Sequence, residues 1–140
     1  VRRTRRREGG QALIEFAFAI MVFTMGFIGL LDVAQGVFVF NGVSQAAREI
    51  ARETSVHPGG GSLGASAESI AMVSTQRRLV PRLQGPVYQC VDIAGAAVPD
   101  ACQSGDWVRV TATTVFQPAL PLLAMLGPFT LTSTSSAEIQ

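Results

Sequence analysis

The sequence predicts an α+β chain: a long amino-terminal helix, embedded in a membrane over its first part, carries a small domain with a second helix and about three antiparallel strands. Three observations predict it. Residues 16–31, FAFAIMVFTMGFIGLL, contain no charge. Apolar residues then continue at helical spacing to Ala51, and the last third of the chain alternates apolar with polar residues between prolines and glycines.

The uncharged run belongs to a longer apolar stretch. Counting from Ala12 to Leu31 gives 20 mostly apolar residues, the length a helix needs to cross a hydrocarbon core of about 30 Å. That stretch supplies much of a hydrophobic content of 48% and a mean hydropathy of +0.34, both high for a chain of this size. A secretory signal peptide starts in the same way, but its apolar core covers only about 7 to 15 residues before a small-residue cleavage site. Here the stretch is longer and passes unbroken into a patterned amphipathic segment, so a permanent span is the leading reading.

Charge orients the span. Arg2, Arg3, Arg5, Arg6 and Arg7 precede it and residues 32–43 hold no positive charge, which keeps the amino terminus in the cytoplasm and puts the rest outside. The net charge of +1 conceals the asymmetry: residues 1–10 carry five Arg and one Glu, leaving six Arg against nine acids, a net −3, in residues 11–140. Clustered arginines also bind nucleic-acid phosphates. Beside a membrane span they read as topogenic, and no nucleic-acid partner is expected.

The helix is expected to run on past the membrane. Val33, Val37, Phe40, Val43, Ala47, Ile50 and Ala51 recur at helical spacing, with Arg48, Glu49, Arg52 and Glu53 mainly on the other side. One helix over about residues 12–53 would be roughly 60 Å long, half in lipid and half the spine of an external domain. The expected division is a basic leader over 1–10, a transmembrane part over 11–32, an external helical continuation over 33–54, a Gly-rich connector over 55–64 and an α+β domain over 65–140. Three glycines follow His57 and Pro58, but no Gly-Lys-Ser/Thr completes a phosphate loop, so this segment reads as a connector.

Ser66 is placed to cap a second helix, with Glu68 favourable in its first turn and Ile70, Val73, Val80 and Leu83 giving it an apolar side. Pro81 and then Gly85-Pro86 end it. Residues 87–93, 107–116 and 129–139 read as strands; the second alternates Val108, Val110 and Ala112 against Arg109, Thr111 and Thr113. Between the last two strands QPALPLLAMLGP has two readings, a half-turn of helix capping the sheet or an exposed apolar patch used in assembly. Three strands with one apolar face need the spine or the second helix to cover them.

Chemistry-bearing residues are sparse. His57 is the single histidine and the chain has no lysine, so a catalytic triad would rest on one connector residue, and Schiff-base and P-loop chemistry are excluded. No catalytic residue, metal site, cofactor or small-molecule substrate is expected. Asp92, Asp100 and Asp106 lack the spacing of a calcium loop and read as solvated loop acids. Cys90 and Cys102 flank a turn-rich segment on the expected oxidising side. A disulfide there is favoured over free thiols, and two Cys with one distant His do not make a zinc set. Asp32, at the expected end of the span, is read as a solvated interface carboxylate. Glu15 is more unusual, because it is an acid inside the apolar stretch and the fifth residue after Gly10.

The combination of a basic segment ending in Gly9-Gly10, then GQALIEF with Glu15, then an apolar helix, then Asn41 followed by AAREIAR over 46–52 resembles the TadE-like pseudopilins of the tight-adherence (Tad/Flp) type IV pilus system. Residues 107–118, WVRVTATTVFQP, and the following PLLAMLGPFTLTSTS are similar to the carboxyl-terminal pattern of that family. The resemblance implies that an aspartyl prepilin peptidase cuts between Gly10 and Gln11. It also implies that Glu15 pairs with the freed amine of a neighbouring subunit during assembly. Phe16 stands where the major pilin of these systems usually has tyrosine, and the chain is far longer than that pilin, which favours a minor subunit. The implied partners are the peptidase, other pilin subunits, pilus assembly proteins and the membrane. The competing reading is an uncleaved, single-pass envelope module that binds other envelope proteins.

Overall fold

The computed structural model describes residues 5–59, 62–98, 102–120, 124–125 and 127–140. Helix α1 (Arg5–Val56) is followed by α2 (Ala67–Leu79) and strands β1 (Val87–Val91), β2 (Trp107–Phe116) and β3 (Phe129–Glu138). The expected α+β architecture is present. At 52 residues α1 begins before the expected start near residue 12 and ends three residues beyond Glu53, for a length of about 78 Å at 1.5 Å per residue.

The three strands form one antiparallel sheet in the order β1-β2-β3. Val91 pairs with Trp107 at one end, and Trp107 with Glu138; Phe116 pairs with Phe129 at the other. Strand β2 is the middle strand, and its period-2 alternation puts Val108, Val110, Ala112 and Thr114 on the buried face. That face lies against the upper part of α1. Val43, Ala46 and Ala47 cluster with Val80, Leu83 and Ala112, while Ile50 and Ala51 cluster with Val108, Val110 and Ile139. Alanines in the seam let helix and sheet backbones approach closely, so the buried face is made largely of small side chains.

The seam differs from the expected stripe. Val43, Ala47, Ile50 and Ala51 are buried as expected, but Val33, Val37 and Phe40 are exposed, at 61%, 55% and 45%. The inward positions of that part of α1 are Asp32, Gly36 and Val39 instead. Their spacing of four and three residues continues through Val43, Ala46 and Ile50, the average of about 3.6 residues per turn that keeps one stripe of a helix on the sheet. At Asp32 and Gly36 this stripe carries no apolar side chain, and the Phe116 ring lies against Gly36.

Ser66 caps α2 as its position implies, its hydroxyl accepting a hydrogen bond from the Ser69 amide at 3.1 Å. The apolar side expected for α2 is only partly buried. Ile70 is 59% exposed, Met72 and Val73 are half-buried, and the most buried positions of the helix are Ser69 and Gln76. After α2 the Gln84 amide bonds to the Thr113 carbonyl at 2.8 Å, and the Thr114 hydroxyl donates to the Pro81 carbonyl at 2.6 Å. These bonds extend the β1 edge toward the far end of β2. The carboxyl-terminal residue closes the structure, with the Gln140 amide on the Ser55 carbonyl at 3.3 Å.

Candidate processing and assembly site on the amino-terminal helix

Helix α1 passes through two environments. From Gln11 to Ile28 every residue is exposed, including Phe16 at 65%, Phe23 at 72% and Leu13 at 70%. No water-soluble fold leaves so much contiguous apolar surface uncovered. Among the described helices, α1 alone is long and apolar enough to cross a membrane. The Thr24 hydroxyl in this region is satisfied within the helix, donating to the Ile20 carbonyl at 2.7 Å. Phe23 and Phe27, one turn apart, stack with ring centroids 6.4 Å apart.

Gly10, Gln11 and Glu15 all lie on this uncovered part of α1 and all are exposed. Around Gly10 there is open space, with no atom within 4 Å of where a β-carbon would sit. Gln11 and Glu15 are four residues apart, so they share one face of the helix, one above the other. The Gly9-Gly10 pair is helical here although each glycine weakens a helix by about 1 kcal/mol relative to alanine. This pair is the easiest place for the first turns of α1 to open.

Residues 10–52 match the family model described as TadE-like protein. The amino-terminal helix is TadE-like. No curated protein and no solved structure shows a significant match. The matched segment contains Gly10, Gln11 and Glu15 at its start and AAREIAR at its end, and the fold gives the second motif a physical meaning. Ala46, Ala47, Ile50 and Ala51 are the buried contact with the sheet, while Arg48, Glu49 and Arg52 face solvent. The likeness in residues 107–135 lies outside the matched segment.

The other expected site residues fall in the carboxyl-terminal domain. Cys90 and Cys102 are joined, with Cα atoms 5.6 Å apart, at the end of the sheet where Val91 pairs with Trp107. Asp92 and Asp106 serve turns rather than a cation: Asp92 Oδ1 accepts from the Ala96 amide at 2.8 Å and Asp106 Oδ2 from the Gln103 amide at 2.9 Å. Asp100 lies outside the described residues. His57 Nδ1 is 3.0 Å from Glu53 Oε1 one turn back, a helix-end pair. Among the described residues no group of His, Cys, Asp or Glu is arranged to hold a metal.

Asp32 is the residue that sequence reasoning misjudged. It is 3% exposed, not solvated, and its carboxylate accepts two backbone bonds from the loop after β2. The Ala119 amide reaches Oδ1 at 3.1 Å and the Leu120 amide reaches Oδ2 at 2.8 Å. A separation of 87 residues leaves no local signal for this pairing. The one hint is chemical: Pro118 and Pro121 lack amide hydrogens, so Ala119 and Leu120 supply the sole donors of that stretch.

Proposed function

We propose that the protein is a minor pilin or pseudopilin of a tight-adherence pilus, a non-enzymatic subunit that supports filament assembly and surface adherence or secretion. One observation carries this reading: a TadE-like helix leaves its first part bare of protein contact while its second part is the covered spine of a small domain. Such a helix suits lipid before assembly and the flanks of neighbouring helices afterwards. The amino terminus faces the cytoplasm and the domain lies outside, in keeping with the arginines that precede the span.

The roles of the site residues follow from their chemistry. A prepilin peptidase cuts between Gly10 and Gln11, where the weak Gly-Gly turn allows the helix to open into a cleavable form. Cleavage removes the basic leader and creates a positive amine on Gln11. Glu15 then lies near the positive end of a new helix, where an acid is favoured. Its carboxylate pairs with the amine of an adjacent subunit, which offsets the penalty of carrying a charge in an apolar bundle. Gly10→Ala is expected to slow processing; Glu15→Ala is expected to leave processing largely intact and to reduce recovery of the subunit in sheared filaments. Unchanged recovery of the Glu15→Ala protein would show that the pairing is wrong. Under the competing reading, an uncleaved envelope module, neither substitution alters the protein's size or location.

A further inference from the structure

We propose that the tip of the β2–β3 hairpin enters the outer leaflet of the membrane beside α1, so that the external domain is held to the bilayer at two points. The proposal rests on α1 being a membrane span and is independent of whether the protein joins a filament.

The depth of the hairpin tip follows from what it touches. A β-carbon built on Gly29 would stand 3.4 Å from Leu120 Cδ1, and one on Gly36 would stand 3.7 Å from the Phe116 ring. Gly29 belongs to the uncharged run of residues 16–31. These 16 residues span about 24 Å at 1.5 Å per residue, less than a hydrocarbon core of about 30 Å, so a placement that keeps the flanking charges at the edges of the core holds the whole run, Gly29 included, in lipid. Leu120, packed against Gly29, is therefore at hydrocarbon depth.

The chemistry of the tip fits that depth. From Val110 to Ala137 the sequence contains no charged residue. Met125 is 85% exposed and Phe129 41%, apolar surface that a soluble loop would not need to present. Lipid penalises each unpaired backbone group by several kcal/mol, and four amides among the described residues of the tip are answered. Pro118 and Pro121 have no amide hydrogen, and the two amides between them are both taken by Asp32. The Ala124 amide bonds to the Leu120 carbonyl at 2.8 Å, and the Gly127 amide to the Ala124 carbonyl at 3.1 Å. Asp32 thus carries its charge at the lipid boundary while neutralising two donors of the entering loop. Arg82 donates to Gln117 Oε1 at 3.2 Å, which puts a long cationic side chain beside the start of the loop, suited to headgroup phosphates.

Depth-dependent quenching tests this directly. Single-tryptophan variants of the full chain, made in a Trp107→Phe background, are reconstituted in phosphatidylcholine–phosphatidylglycerol vesicles whose acyl chains are brominated. Phe23→Trp reports the span, Met125→Trp the hairpin tip, and Ile93→Trp, 92% exposed at the opposite end of the sheet, the domain remote from lipid. The proposal expects Met125→Trp to be quenched by bromines near the headgroup and to be severalfold less accessible to aqueous iodide than Ile93→Trp. Equal iodide quenching at the two positions overturns it. Shielding of Met125→Trp from iodide without bromolipid quenching also overturns it, since a second copy of the chain then covers the tip. Failure of Phe23→Trp to be quenched removes the membrane span itself, and the hairpin proposal with it.

Discussion

The two halves of α1 share one continuous hydrogen-bonded helix and obey opposite packing rules. Below Asp32, large side chains such as Phe16, Phe18 and Phe23 project outward and no protein covers them. Above it, the inward positions are Val43, Ala46, Ala47, Ile50 and Ala51, mostly small and all nearly inaccessible. The lower half is built for a solvent that is itself apolar, so its hydrophobicity needs no partner within the chain. The upper half is built for water, where burial against a sheet must supply the stability. Asp32 stands at the junction and ties the two regimes together through the hairpin loop.

Substitutions in the two halves should therefore have unlike effects on the carboxyl-terminal domain, read by denaturant unfolding in detergent through Trp107 fluorescence. Ile50→Ala, at a fully buried position, is expected to destabilise the domain by about 2–5 kcal/mol. Phe23→Ala, although a larger deletion, should leave domain unfolding unchanged. An equal loss from both would break the division between the halves. Replacing both Cys90 and Cys102 by serine releases a short loop at the end of the sheet remote from the hairpin tip and is expected to lower stability by about 3 kcal/mol. Because this staple lies away from the junction, bromolipid quenching at Met125→Trp should persist in the reduced protein.

Asp32→Ala sharpens the comparison at its boundary. Leaving the Ala119 and Leu120 amides without their acceptor is expected to cost about 1–3 kcal/mol, whereas Asp32→Asn, which keeps a carbonyl oxygen, should lose less. The smallest effect concerns Tyr88. Burial raises its hydroxyl above the ordinary value of 10.0, an effect partly opposed by a hydrogen bond with Thr54 and by the nearby Arg77 charge. A folded value above the unfolded one means that this contribution is fully present below pH 10.0 and is lost as pH rises through the folded value. Tyr88→Phe should flatten the alkaline fall in thermal stability and leave stability near neutral pH little changed.

Features with a local cause were legible in the sequence. The alternation of β2 gave its bounds, because one face of a middle strand is buried and period-2 patterning reports that directly. Ser66 announced the start of α2 because capping acts over three residues. The lower half of α1 was readable from charge and apolar length alone, whereas Gly10, Gln11 and Glu15 were singled out only with the help of the family resemblance. The upper seam was half-legible: Ile50 and Ala51 were identified, but Gly36 and Asp32 carry no hydrophobic signal, and the larger Val33, Val37 and Phe40 drew the stripe to the wrong face. The Asp32 contact was illegible because its partners are backbone amides, which every sequence contains, brought close only by the tertiary fold.

Whether this helix is processed or kept as a permanent anchor decides the proposed function. Intact-mass measurement and amino-terminal sequencing, in cells with an active prepilin peptidase, test it most directly. The account predicts a mature protein that begins at Gln11, and recovery of the protein with residues 1–10 still attached would contradict it.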